Sequence, residues 1–179
     1  MTIYTKKGDK GKTGLYYLPK GKLISKDSLI IEAIGSIDEV NSWLGLVACC
    51  RHKSKDRNLV IGIQKDLMTI NSILAGSKLS FPKTKTEFLE KEIVKLEAKL
   101  PSLKNFIIPT GGLAASYLHL ARAVVRRAER QIIKLGKTKK LNPAILSYIN
   151  RLSDLIFLLA RKKNLNEGYR EESWTGRKK

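Results

Sequence analysis

The sequence predicts an all-α protein: a five-helix antiparallel bundle with an extended N-terminal arm rich in glycine and lysine. Three observations predict it. Apolar residues recur every three or four positions in several stretches, which is the period of a helix buried on one face. No alternation of useful length indicates a β-strand. The links between helical stretches are short and no internal repeat occurs, as in an antiparallel bundle.

The chain has 179 residues, of which 42% are hydrophobic and 28% are charged. This composition suits one folded domain and excludes a disordered or fibrous chain. We expect a single domain over 1–179, divided into an arm at 1–27, the bundle at 28–163 and a polar, partly mobile tail at 164–179. No apolar run approaches the roughly 18–20 residues of a membrane span, and the N-terminus does not resemble a secretory signal. The expected location is cytoplasmic, with no membrane partner.

The arm begins with a run of glycines and lysines at residues 6–14, where we expect no regular helix. The first helix has two candidate starts. Ser36 and Glu39 have capping-box spacing, whereas the apolar residues that begin at Leu29 allow an earlier start. The helix is expected to end at about Arg51.

The second and third helices follow from apolar spacing and breakers. Apolar residues three or four apart mark the second helix, which should end near residues 80–82; they are Leu59, Ile63, Leu67, Ile70 and Leu74. Thr84 and Glu87 have the spacing of a cap for the third helix, which should end before Pro101 because residues that precede proline avoid helical geometry. Its expected apolar residues are Phe88, Ile93 and Leu96.

The fourth helix should run from about Leu113 to Leu135, with Gly136 as the C′ residue. Its predicted buried stripe is Leu118, Ala121, Val125, Ala128 and Ile132. Asn142 followed by Pro143 predicts an N-cap and a first helical residue for the fifth helix, which should reach about Lys163.

The charge and the cysteines limit the function classes. Lys+Arg total 35 and Asp+Glu total 16, so the formal charge of +19 predicts an anionic partner. Nucleic acid, phosphorylated small molecules and an anionic membrane all qualify. Adjacent Cys49 and Cys50 are poorly placed for a disulfide with each other, so we interpret both as packing residues on a helix. Together with His52 they still lack the second ligand cluster that a zinc site needs.

Three arginines of the fourth helix lie at i, i+4 and i+8, which places Arg122, Arg126 and Arg130 on one face. Only Glu129 offsets them locally. The stripe is therefore either a solvated basic face or a site that needs a polyanion or carboxylates from another helix. Asp38 and Asp154 are candidate partners, although each alone is as well explained as a polar contact between helices.

Glycine, lysine and threonine in the arm could cradle phosphates, because glycines let backbone N–H groups approach an anion. The run is not a Walker A loop. Lys6 occupies the place of the first glycine, and no strand precedes it. From these residues alone, the arm is either a phosphate-binding loop or an ordinary one.

Four segments of the chain carry a resemblance: residues 4–15, 35–42, 118–130 and 150–154. Together and in this order they resemble the PduO-type corrinoid adenosyltransferases, which move the adenosyl group of ATP onto cob(I)alamin. One departure is visible. Family members usually have Pro-Gly-Gly before the fourth helix, whereas this chain has Thr110 between Pro109 and Gly111-Gly112.

The resemblance implies a homotrimer of five-helix bundles that binds ATP and the corrinoid between neighbouring subunits. It also implies that the arm wraps the triphosphate and that Lys26 reaches the nucleotide. The arm positions that match are Thr5, Lys6, Gly8, Asp9, Thr13 and Gly14.

The resemblance further implies roles for the bundle residues. Arg130 matches a phosphate-contacting arginine, and Arg126 matches an arginine that pairs with an aspartate of the first helix, here Asp38. Glu129 and Asn150 would hold the adenosine or the surroundings of the metal. Phe106 matches an aromatic residue that faces the corrin ring and displaces its lower axial base. Mg²⁺ would be held mainly through the ATP phosphates, and no protein ligand is assigned to it.

The implied reaction needs no nucleophilic side chain, because reduced cobalt is itself the nucleophile. A reductase that supplies cobalt(I), or a cobalamin-dependent enzyme that accepts the product, is an expected protein partner. Two alternatives remain open: a basic helical RNA-binding protein, and an ATP-binding regulator of the same fold without catalysis. Under the main interpretation nucleic acid is not a partner.

Overall fold

The computed structural model describes residues 6, 8–50 and 55–176. It contains the predicted five helices, which are α1 (Leu29–Cys49), α2 (Lys55–Leu74), α3 (Thr84–Glu97), α4 (Leu113–Gly136) and α5 (Pro143–Asn166). The arm also forms a small antiparallel hairpin, in which β1 (Lys12–Thr13) pairs with β2 (Ile24–Ser25). Strands of two residues are too short to leave an alternating pattern, so the sequence did not predict them.

Helix α4 is central to the bundle. It packs against α1 and α5, while α2 packs on α1 and α3 packs on α5. The predicted α4 stripe is confirmed, since all five of its residues are buried. The predicted α2 stripe is confirmed except for Leu59, which is only partly buried. In α3 the buried residues are Thr86, Leu89 and Leu96, and Phe88 is instead 47% exposed.

The antiparallel order gives the bundle two ends. The arm end holds the C-termini of α2 and α4, and the arm joins it there, because Tyr16 N–H donates to Ala75 O at 2.9 Å. The tail end holds the C-terminus of α5 and the loop before α4. There the Asn164 side chain donates to Thr110 O at 2.9 Å.

Of the two candidate starts of α1, the earlier one at Leu29 is confirmed and the capping box at Ser36 is wrong, as is the predicted cap of α3. Helix α1 begins at Leu29, so Ser36 lies inside it and its hydroxyl donates to Glu32 O at 2.8 Å. In α3 the N-cap is Lys83, with no capping side chain, and Thr84 is the first helical residue. In α1, packing of the apolar residues before Ser36 outweighs the local capping pattern, so the helix begins about two turns earlier.

The predicted helix ends were also approximate. Helix α2 ends at Leu74, before the expected residues 80–82, and α1 ends at Cys49; Arg51 lies outside the described residues. Gly136 is the last residue of α4 and has no positive φ, so it is not a C′ glycine. The start of α5 is confirmed: Asn142 Oδ1 accepts from Ala144 N–H at 3.0 Å, and Pro143 opens the helix.

The C-terminal tail was expected to be polar and partly mobile, and its described part forms hydrogen bonds to the loop before α4. Trp174 N–H donates to Phe106 O at 2.7 Å, and Ile108 N–H donates to Glu172 O at 2.8 Å. Asn164, assigned to the tail, is a buried residue of α5. Residues 171–174 therefore lie against the loop before α4.

Two further sequence interpretations need correction. Cys49, expected to be a packing residue, is an exposed free thiol at the end of α1. Helix α5 is long and apolar enough to cross a membrane, with a mean hydropathy of 1.3 over its most apolar window, although no such run was expected. More than half of that window is buried in the bundle, which is the burial of a core helix.

Candidate functional site

A cavity of about 750 Å³ opens at the tail end, between the loop before α4, the helices α4 and α5, and the tail. This volume lies within the range of small-molecule sites. Its lining combines aromatic and charged side chains, chiefly Phe106, Arg122, Arg126, Asp154, Phe157 and Trp174. We call it the aromatic cavity.

Two aromatic rings stand at the mouth of the aromatic cavity. Phe106 is 81% exposed and Trp174 is 58% exposed, although their backbones are joined by the hydrogen bond described above. Large exposed aromatic side chains in a concave site indicate an apolar ligand surface that covers them when bound.

Arg122 forms part of the cavity wall and is partly buried. Its guanidinium lies 5.6 Å from the centre of the Phe157 ring, a cation–π distance. Its Nε is buried without a hydrogen-bond partner among the described residues. Burial, and secondarily the charge of Arg126, lowers the pKa of Arg122.

His119 lies behind this wall. It is 5% exposed, its ring centre is 6.1 Å from that of Phe157, and neither ring nitrogen has a partner among the described residues. Burial, followed by the nearby charge of Arg122, lowers the pKa of His119 below its usual 6.5. A neutral packing residue fits these surroundings better than a proton-transfer group.

The predicted pair of Arg126 with Asp38 is not formed within the chain. Both residues are exposed, and the neighbouring Arg127 and Glu39 form the ion pair between α4 and α1 instead. Among the described residues no carboxylate lies within ion-pair distance of Arg122, Arg126 or Arg130. Asp38 and Arg126 are both exposed in this single copy, so their pairing stays a prediction.

Glu129 and Asn150 are brought together by the packing of α4 on α5. Asn150 Nδ2 donates to Glu129 Oε1 at 2.8 Å, and both line a cavity of about 390 Å³. Arg151 lies beside them, and its Nη1 is 2.8 Å from Oδ2 of Asp154, a residue of the aromatic cavity. A continuous polar wall therefore leads from Glu129 to the aromatic cavity.

The arm encloses its own cavity of about 730 Å³, which we call the arm cavity. Its lining includes four predicted nucleotide-binding residues: Gly8, Thr13, Gly14 and Lys26. A Cβ atom at Gly8 would lie 3.1 Å from Lys26 Nζ, so the lysine side chain lies directly against this glycine. Lys6 and Asp9 are exposed and do not line the cavity, and Thr5 lies outside the described residues.

The arm cavity and the cavities along α4 share no lining residue. Arg130 lines none of these three cavities and is exposed on α4. The predicted nucleotide-binding residues thus form two separate groups in one copy of the chain, one in the arm and one on α4 and α5.

Sequence reasoning missed two residues of the aromatic cavity, Phe157 and Trp174. Phe157 follows Asp154 by three positions on α5, so helical spacing from Asp154 could have found it. Trp174 stands in a polar tail with no periodic pattern around it, and only its aromatic side chain set it apart.

Comparison with known proteins places these features in a family. The family model described as cobalamin adenosyltransferase matches residues 3–163. A corrinoid adenosyltransferase of Bacillus subtilis is 39% identical over 176 residues, which cover 94% of this chain and 89% of that protein. A cobalamin adenosyltransferase of Cupriavidus metallidurans is 38% identical over 179 residues, which cover 96% of this chain and 93% of the relative.

Solved structures agree with these relatives. A variant of a PduO-type ATP:corrinoid adenosyltransferase from Lactobacillus reuteri, complexed with cobalamin and ATP, superposes with a TM-score of 0.92 at 33% identity and covers 98% of this chain and 100% of its own. Another variant from the same organism, complexed with ATP, gives a TM-score of 0.88 at 35% identity.

Proposed function

Because the chain belongs to the cobalamin adenosyltransferase family, we propose that it transfers the 5′-deoxyadenosyl group of ATP to the cobalt of cob(I)alamin and releases triphosphate. The observation that carries this proposal is the placement of a stripe of arginines, which have no carboxylate partner in the described part of the chain, beside an aromatic cavity. The first suits a polyanion, and the second suits the apolar edge of a corrin ring.

In the proposed reaction, cobalt(I) supplies the electron pair that forms the Co–C5′ bond. The C5′–O bond breaks, and its electrons leave with the triphosphate. The protein therefore needs to hold C5′ in line with cobalt, stabilise the charge on the leaving group and exclude water.

The basic residues would stabilise the charge of the leaving triphosphate. Arg130, Lys6 and Lys26 would neutralise the triphosphate, and the backbone of Gly8 and Gly14 would approach it closely. Arg126, on the same face of α4, extends this basic surface into the aromatic cavity.

Mg²⁺ would be carried mainly by the ATP phosphates. Hard cations favour carboxylate oxygens, and Glu129 offers one: Asn150 bonds its Oε1, which leaves Oε2 available. The residue fits an outer contact to a metal–nucleotide complex. When bound, the ion would add charge neutralisation at the phosphates, while Asn150 orients the carboxylate or contacts the adenosine.

The corrinoid is assigned to the aromatic cavity. Phe106 would cover the lower face of the ring, take the place of the axial base and keep water from cobalt. Removal of the lower ligand makes the cobalt easier to reduce and so favours the reactive state.

We propose a homotrimer in which each active site joins two subunits. The division of the predicted nucleotide-binding residues into two groups supports this, because a second copy that supplies one group would let a single nucleotide contact both the arm and Arg130. Exposed Asp38 and Arg126 would then pair across the interface. Removal of either partner from such a pair would cost about 3–5 kcal/mol if the interface buries it.

Transfer is tested by incubation of the protein with ATP, Mg²⁺ and chemically reduced cob(I)alamin. We expect adenosylcobalamin and triphosphate in equal amounts, and neither product when cobalamin is left unreduced. Nucleotide binding without a product would favour the ATP-binding regulator. High-affinity RNA binding that weakens steeply with salt, in the absence of transfer, would favour the nucleic-acid alternative.

The shared site is tested by mixed assembly. Lys26→Ala and Arg130→Ala chains would each be inactive alone. When the two are unfolded, mixed and refolded together, some interfaces would combine an intact arm with an intact Arg130, so part of the activity should return. No recovery in a trimer that has exchanged subunits would contradict a shared site, and a monomer by light scattering would contradict the assembly.

The setting of the reaction completes the proposal. We propose a cytoplasmic location, where a reducing compartment would keep the thiols of Cys49 and Cys50 free. A reductase would supply cobalt(I), or a cobalamin-dependent enzyme would receive the product, as the protein partner.

A further inference from the structure

We propose that Arg161 is a positioning residue for the corrinoid half of the site. Its buried guanidinium holds the two segments that carry Phe106 and Trp174 at the mouth of the aromatic cavity. This inference rests on the proposed function. It concerns only the binding of the corrinoid and leaves the nucleotide half unaffected.

Arg161 lies near the C-terminus of α5 and is 4% exposed. Its Nε and Nη2 donate to Oε1 and Oε2 of Glu171 at 2.8 and 2.9 Å. Nη2 also donates to Pro101 O at 2.8 Å. A two-point arginine–carboxylate pair fixes the direction as well as the distance of its partner.

Pro101 and Glu171 belong to the two segments that carry Phe106 and Trp174. Pro101 begins the loop that leads to Phe106, and Glu171 stands three residues before Trp174. Beyond this anchor, the two segments are joined along their backbones by the Ile108–Glu172 and Trp174–Phe106 hydrogen bonds. Neither segment belongs to a helix, so the guanidinium is the rigid support from which both extend.

The far side of the loop has a separate clamp. Asn164, one turn further along α5, donates to Thr110 O at 2.9 Å and accepts from Gly112 N–H at 3.1 Å. This side-chain clamp holds the loop where it enters α4, and the backbone O of Asn164 also accepts from Tyr169 N–H in the tail at 2.9 Å. Among the described residues, Arg161 is the charged side chain that bonds both the segment leading to Phe106 and the segment leading to Trp174.

The pair lies outside the two cavities assigned to the nucleotide, although Arg161 lines a neighbouring cavity of about 670 Å³ together with Arg151. Arg161 and Glu171 line neither the arm cavity nor the cavity of Glu129 and Asn150. A change at the pair should therefore alter the corrinoid KM and leave the nucleotide KM unchanged. General destabilisation would not produce such a selective effect.

Three variants separate the contributions. Glu171→Gln keeps the shape but removes the charge, which loosens the tail while Arg161 still holds Pro101. Arg161→Met removes both anchors, and Arg161→Lys restores the charge without the two-point geometry. The matched control is Lys162→Met, which removes the neighbouring α5 cation that pairs with Asp56 on α2 at 2.7 Å.

The test measures steady-state transfer with cob(I)alamin and with ATP varied in turn. For Glu171→Gln we expect the corrinoid KM to rise about tenfold at unchanged ATP KM, since misplacement of contact groups by about 1 Å is costly. Arg161→Met should show a larger rise, with partial recovery in Arg161→Lys, and Lys162→Met should match the wild type.

A second readout follows the tail directly. In a Trp43→Phe background Trp174 is the only tryptophan, so its accessibility to acrylamide should increase in Glu171→Gln and decrease on addition of corrinoid. Equal rises in both KM values, or an unchanged corrinoid KM in a folded Glu171→Gln, would overturn the proposal. Absence of transfer by the wild type would instead refute the proposed function.

Discussion

The two large cavities of this protein have nearly equal volumes, about 730 Å³ in the arm and about 750 Å³ at the tail end, but they are built in different ways. The arm cavity is lined by residues 8–26 together with Ala75, a nearly continuous piece of sequence rich in glycine and lysine. The aromatic cavity draws on four separate segments between residues 103 and 176.

Because of this difference, the two cavities present different chemical groups to a ligand. The arm offers a glycine-rich backbone and lysines that form no ion pair among the described residues, which suits a polyanion. The aromatic cavity offers rings whose placement depends on distant buried supports, namely Arg161 and Asn164. Variants of the two regions should therefore fail in different ways.

The largest effect is expected at the basic face that would complete the nucleotide site. Arg130→Ala should lower adenosyl transfer on the order of 100-fold to 1000-fold, as for other removed groups that stabilise developing charge. Its helix content should stay intact because the side chain is exposed. Circular dichroism and turnover test this, with Lys134→Ala, one turn further along α4, as the control. Full activity of Arg130→Ala would refute the assignment.

A smaller and more selective effect is expected at the rim of the aromatic cavity. Phe106→Ala should leave ATP affinity near the wild-type value and slow corrinoid conversion by about 10-fold to 100-fold, because water and the axial base regain access to cobalt. Calorimetry with ATP and single-turnover assays separate the two. Phe88→Ala, at an exposed phenylalanine outside this cavity, is the control, and a loss of ATP binding in Phe106→Ala would contradict the division.

The rigidity of the two regions can be compared by one substitution in each. Gly111 has a φ of 127°, and a Cβ there would lie 2.0 Å from Asn164 Oδ1. Gly11 has a φ of 70° with open space around it. Gly111→Ala should lower the free energy of unfolding by about 3 kcal/mol, and Gly11→Ala by about 1 kcal/mol. Urea titration measures both, and equal losses would show that Asn164 yields easily.

The smallest effect is a pH dependence of stability that His119 imposes behind the aromatic cavity. Its pKa is lowered in the folded state, so below the unfolded value of 6.5 the unfolded chain binds more protons. Stability should therefore fall as the pH drops below 6.5, by at most about 1.4 kcal/mol per pH unit.

The matched variant for this effect is His119→Leu, which keeps the volume and removes the titration. Melting curves at several pH values should lose the part of the acid slope that His119 contributes. An identical slope in wild type and variant would show that burial does not perturb this histidine.

Cys50, whose pKa is raised chiefly by burial, should resist alkylation at neutral pH in both proteins.

Several parts of the fold were predictable because their causes are local. The apolar period of α4 and the Asn142-Pro143 start of α5 depend on residues within one or two turns. The capping pattern at Ser36 was misleading because it too is local. The apolar residues that precede Ser36 in α1 pack in the core, so the helix begins before it.

In the candidate site, too, some features have local causes and others depend on the packing of the whole bundle. The sequence by itself determined the helical class, the basic stripe of α4 and the contiguous arm, since periodicity, charge and glycine content are properties of short stretches. Only the tertiary structure decided that Glu39 and not Asp38 contacts α4, that the tail returns to Phe106, and that Arg161 binds Pro101 and Glu171. Those contacts join residues 10 to 88 positions apart, and the packing of the whole bundle, not any local preference, selects them.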